Sequence, residues 1–107
     1  MAKYLFEVNY TLEGIKGVKA KGATARLAAA KEAVASAGGS IDAYYFAFGG
    51  TDVYAIVDLP DNVAAASLSL TMAAAGGLTA KTVVLLTPEE IDQAVGRSVT
   101  YSPPGSS

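Results

Sequence analysis

YYFAFGGTDVYAIVDLPD, residues 44–61, decides how this chain is built. Two apolar runs rich in aromatic and β-branched residues flank Gly49-Gly50-Thr51-Asp52, and Pro60-Asp61 closes the second run. That pattern predicts a β-hairpin, Ile41–Phe48 and Val53–Leu59, whose exit starts a helix. With residues 49–52 as the turn, Phe48 is expected to face Val53 and Phe46 to face Ala55.

The flanking segments extend the pattern. Lys3–Tyr10 alternates, with Tyr4, Phe6, Val8 and Tyr10 on one face and Leu5, Glu7 and Asn9 on the other, as a half-exposed strand does. Thr11–Gly22 is punctuated by Gly14, Gly17 and Gly22 and reads as a loop. A helix is expected from Ala23 to Ala37, with Leu27, Ala30 and Val34 facing inward and Gly38-Gly39 as its stop. Asp61 offers an N-cap for a second helix over Asn62–Ala75, closed by Gly76-Gly77. Thr79–Thr87 is a fourth strand, and Thr87-Pro88-Glu89-Glu90 opens a short helix with a cap, a first-turn proline and two acids. Residues 98–107 form an extended or disordered tail, leaving residues 1–97 as one domain. The order β-α-β-β-α-β is that of a ferredoxin-like α+β sandwich, with two helices on one face of an antiparallel sheet and the other face open.

Composition narrows the chemistry. The chain has no cysteine and no histidine. That excludes thiol nucleophiles, Ser–His pairs, histidine-ligated haem and ordinary zinc sites. A net charge of −2 and scattered lysines give no field for a nucleic acid backbone. The charge-free stretch 63–80 is interrupted by Gly76-Gly77 and diluted by Ser, Thr and Ala, so no membrane span is expected and the protein reads as soluble and cytoplasmic. Hydrophobic residues make up 51% of the chain, many of them alanine, which points to burial between subunits as well as within one.

The hairpin also resembles the signature of the GYD-domain family of small bacterial proteins, supported by KYLFEVNYTLEGIKG near the start and KTVVLLTPEE near the end. The resemblance spans about residues 3–95. Gly49 and Asp52 match the family pattern, whereas Thr51 stands where the family usually has tyrosine. The family is similar in fold to dimeric α+β barrels, so the resemblance implies a homo-oligomer, a homodimer or larger, with a cavity under the sheet. It supplies no reaction.

Strand alternation places Tyr45, Ala47, Tyr54, Ile56 and Asp58 on the open face with Leu5, Glu7 and Asn9. Glu7 and Asp58 are the candidate proton-transfer groups, and Asn9, Tyr45 and Tyr54 the candidate ligand contacts. An enclosed carboxylate has a raised pKa and can act as a base beside a donating phenol. The same groups can equally satisfy one another across an interface between subunits. Three functions follow: a homo-oligomeric small-molecule-binding or regulatory module, a cofactor-independent isomerase or monooxygenase, and a purely structural assembly.

Three other features carry less. Gly17–Thr24 nearly matches a phosphate-binding loop, but Ala23 stands where that loop needs lysine. What survives is an anion site at a helix N-terminus, with Lys21 and Arg26, against the simpler reading of a solvated basic loop. The apolar helix 62–75 is expected to turn Val63, Ala66, Leu70 and Ala73 inward and to be covered on a second side. Asp52 and Asp58 lie at opposite ends of one strand, about 20 Å apart, so they share no cation within a subunit, and no metal or cofactor is implied. Asp52 and Asp61 are read as turn and cap residues.

Overall fold

The computed structural model describes residues 1–105. The elements follow in the order β1 (Ala2–Tyr10), α1 (Leu12–Lys21), α2 (Ala23–Ser36), β2 (Ser40–Phe46), β3 (Val53–Leu59), α3 (Asn62–Ala74), β4 (Leu78–Leu85) and α4 (Pro88–Val95). The four strands form one antiparallel sheet in the order β2-β3-β1-β4, so the first strand lies inside and the hairpin's first strand at an edge. This is the expected ferredoxin-like α+β arrangement.

Alternation along the two central strands separates the faces. Tyr4, Phe6 and Val8 of β1 and Val53, Ala55, Val57 and Leu59 of β3 are buried, and Val34 of α2 with Ala65 and Leu68 of α3 closes over them. The largest of these, Tyr4, keeps its hydroxyl satisfied by donating to Asn62 Oδ1 at 2.6 Å, which fastens the start of α3 to the sheet.

The segment 11–22 is not a loop but the helix α1. Thr11 caps it, its hydroxyl accepting from Gly14 N at 3.2 Å, with Glu13 in the first turn and Lys19 and Lys21 in the last. These are ordinary helix-terminus signals, which the three glycines obscure. Gly14 is required by packing: a Cβ there would lie 1.8 Å from Gly77 O. Gly22, at φ +89°, breaks α1 from α2, and no phosphate loop forms between them. The α2 stop is a Schellman turn, with Gly38 at φ +89° and Gly39 N donating to Val34 O at 3.0 Å.

The hairpin is shifted from its expected register by two residues. Phe46, not Phe48, faces Val53, and Tyr44 faces Ala55. The connection is longer because Asp52 is bound to β1: its N–H donates to Val8 O at 2.9 Å, and its Oδ2 accepts from Tyr10 N at 2.9 Å. Phe48 is left wholly exposed in the turn. A shift of two preserves the faces. At the far end of the hairpin, β2 is irregular between Ile41 and Ala43, around Asp42.

The inward face of α3 also differs from expectation. Ala65 and Leu68 are buried and Met72 packs against the core, while Val63 and Leu70 are more than two-thirds exposed. Asp61 caps this helix as anticipated, accepting from Ala64 N at 2.9 Å. The short helix α4 has a complete capping box between Thr87 and Glu90. It makes only marginal contact with other elements, and Ile91 and Val95 are exposed. Residues 98–105 carry no helix or strand. Ser106 and Ser107, the end of the tail, lie outside the described residues.

Two stability contrasts test this packing by chemical denaturation. Gly14→Ala should cost at least about 2 kcal/mol through its clash with the Gly77 carbonyl. Gly17→Ala, which meets open space within the same helix, should stabilise by about 0.5–1 kcal/mol. Leu68→Ala should cost about 2–4 kcal/mol. Leu70→Ala, on the outer side of α3, should stay within about 0.5 kcal/mol of the parent.

Candidate binding face on the open side of the sheet

On the face away from α2 and α3, the strand registers line side chains up in rows across all four strands. Tyr45, Tyr54, Glu7 and Lys81 form one row. Ala43, Ile56, Leu5 and Val83 form the next, and Ser40, Asp58, Lys3 and Leu85 the third. Opposed residues on neighbouring strands sit about 5 Å apart, so side chains within a row are in reach of one another.

The structure brings three of the anticipated residues together: Glu7 lies directly across from Tyr54, which lies across from Tyr45. Tyr45 is 72% exposed and Tyr54 41%, which leaves both rings available to a partner or ligand. The other two stand apart. Asp58 lies opposite Lys3, four residues along β1 from Glu7. At about 3.3 Å per residue that separates the two carboxylates by roughly 13 Å. Asn9 lies beyond Glu7 at the opposite end, and its Oδ1 accepts from Asp52 N at 3.2 Å, so the amide oxygen helps hold the hairpin connection.

Lys3, Asp42 and Lys81 belong to this face and were not singled out in the sequence. Lys3 Nζ binds Asp58 Oδ1 at 3.0 Å and is also hydrogen-bonded to Asp42 Oδ2. The irregularity in β2 is what brings Asp42 to Lys3, and a strict alternation gives no sign of it. Among the described residues these are the only ion pairs. The hydrogen bond from Lys3 holds the Asp42 carboxyl below its ordinary pKa, and the same bond, followed by the one to Asp58, raises Lys3. Asp58 therefore already has a cationic partner, whereas Glu7 has none within ion-pairing distance.

These shifts fix the sign of a pH response. A carboxyl depressed in the fold contributes stability above its unfolded pKa and loses it as the pH falls through the lowered folded value. A lysine raised in the fold contributes below its unfolded pKa and loses that as the pH rises through the raised value. In a carbon-detected NMR titration, Asp42 should titrate below a free aspartate, and Lys3→Met should move its midpoint upward. An unmoved midpoint would show that Lys3 is not its partner in solution.

A four-stranded antiparallel sheet with helices on one side and a mixed aromatic, apolar and charged row system on the other defines a ferredoxin-like α+β protein with a free sheet face. Within that class, the family model for the GYD domain matches residues 4–95. The chain belongs to the GYD-domain family. No curated protein and no solved structure matches it. No helix among the described residues is long and apolar enough to cross a membrane.

Proposed function

We propose that the protein is a homo-oligomeric small-molecule-binding module of the bacterial cytoplasm, in which a second copy covers the open sheet face and a ligand is held against the tyrosine row. The observation that carries this is the exposure of Tyr45 and Tyr54 beside a central apolar row of Ala43, Ile56, Leu5 and Val83. A continuous apolar strip of this kind on a soluble sheet marks an interaction surface. The face suits its own copy because it carries both signs of charge, Lys3 and Lys81 with Glu7, Asp42 and Asp58. A two-fold operation can set one sign against the other. The uncovered apolar side of α4 supports the same reading, since Ile91 and Val95 gain little burial within one chain.

Of the two carboxylates, Glu7 is the better placed to orient a ligand, because it faces a phenol and Asp58 is occupied by Lys3. The tyrosine rings supply flat, amphipathic contact area with few rotatable bonds.

Sedimentation of the native protein should show an oligomer. Ile56→Lys should dissociate it while far-UV circular dichroism stays unchanged. Two lysines placed in one apolar interface weaken association by several kcal/mol. Native mass spectrometry of the protein as purified from its own host should reveal a bound small molecule, lost on Tyr45→Ala and weakened on Glu7→Gln. An oligomer that survives Ile56→Lys unaltered would place the interface elsewhere.

A further inference from the structure

On the helix side of the sheet lies a cavity of about 100 Å³. Its floor includes Phe6, Ala55 and Tyr44 of the strands, and its roof Ala30 and Ala33 of α2 with Met72 of α3. The cavity exists because alanine methyls are too short to fill the gap between α2 and the sheet.

Arg26 stands one turn before Ala30 and also lines this space. Its Nε is shielded from solvent and, among the described residues, is the one buried side-chain polar atom without a hydrogen-bond partner. A buried donor left unpaired is costly, and more so when the group is charged. Arg26 also forms no ion pair. Arg26, Tyr10 and Leu78 are shared with a second hollow of about 220 Å³, bounded by α1 through Glu13, Gly17 and Lys21. The apolar cavity and a polar antechamber therefore meet at the guanidinium.

The tyrosines complete the lining chemistry. Burial raises the Tyr44 phenol well above the ordinary tyrosine range, and the neighbouring Tyr10 phenol adds to the effect. Tyr44 is thus a neutral donor at physiological pH, next to a fixed cation.

We propose that this cavity binds a small organic acid, its apolar body under α2 and its carboxylate at Arg26. The size follows from the space: a cavity of roughly 150 Å³ accommodates benzene, so an inner chamber of about 100 Å³ takes a short branched chain and little more. The charge follows from Arg26, whose planar fork matches a carboxylate and whose Nε has no acceptor of its own. Lys21 at the outer hollow favours entry of an anion over a cation, partly offset by Glu13. This site lies across the sheet from the tyrosine row and requires no second chain, so it stands or falls independently of the open-face reading.

Isovalerate is a suitable probe, with isovaleramide as its uncharged counterpart, followed by methyl NMR of the full-length protein. Isovalerate should shift the Ala30, Ala33 and Met72 methyls saturably, with isovaleramide weaker by about tenfold or more, the worth of one charge-assisted contact. Arg26→Gln should remove that preference. Ala30→Leu should fill the chamber and abolish binding with the amide spectrum still that of a folded protein. If Arg26→Gln does not fold, the comparison of acid and amide on the unaltered protein decides alone. Equal affinity for the two probes, shifts at Tyr45 and Tyr54 instead, or no saturable shift at all would overturn the proposal.

Discussion

Asp52 holds the register on which both faces of the molecule depend. Its backbone and side chain bind three consecutive residues of β1, namely Val8, Asn9 and Tyr10. β3 therefore begins at a fixed point along its neighbour. Strand side chains alternate with a period of two, so a slip of one residue would turn Val53, Ala55, Val57 and Leu59 to solvent and Tyr54 and Ile56 into the core. The cost would include every buried contact those residues make with α2 and α3. One carboxylate thus links the hairpin turn to the core on one side and to the tyrosine row on the other.

The two sides of the sheet pose different physical problems. The helix side is closed by short side chains, and alanine cannot fill the volume between an α-helix and a sheet carrying aromatic residues. What remains is a cavity with one cation at its edge. The open side has the reverse problem. Its large side chains are partly exposed, its charges are partly paired, and none of the described helices covers its tyrosine row. A chain this rich in hydrophobic residues, many of them alanine, has limited area to bury internally.

Much of this was legible in the sequence because it is local. The alternation of Lys3–Tyr10, the Asp61 cap and the Thr87 cap with its first-turn proline and acids each depend on residues within a few positions, and each is present as read. Apart from the local end signals of α1, the misses are non-local. Gly14 looks like a helix breaker until Gly77 is seen against it. The hairpin register turns on Asp52 reaching a different strand. The inward side of α3 cannot be chosen by periodicity, because the helix is apolar nearly all round, and tertiary packing selects Ala65, Leu68 and Met72. Of the face residues, Glu7, Tyr45 and Tyr54 were readable from strand parity, but the Lys3–Asp42 bond requires the irregularity in β2. A trace of the helix-side cavity was present: Arg26, Ala30 and Ala33 fall at helical spacing, a lone cation above two small residues.

Covering of the open face by a second copy is the claim that ties composition, sheet and C-terminal helix together. Isotope-filtered NMR on an oligomer reassembled from labelled and unlabelled chains reads that contact directly. The account predicts intermolecular cross-peaks among Leu5, Tyr54, Ile56 and Val83. Cross-peaks confined to the outer surfaces of α2 and α3, or none between chains, would contradict it.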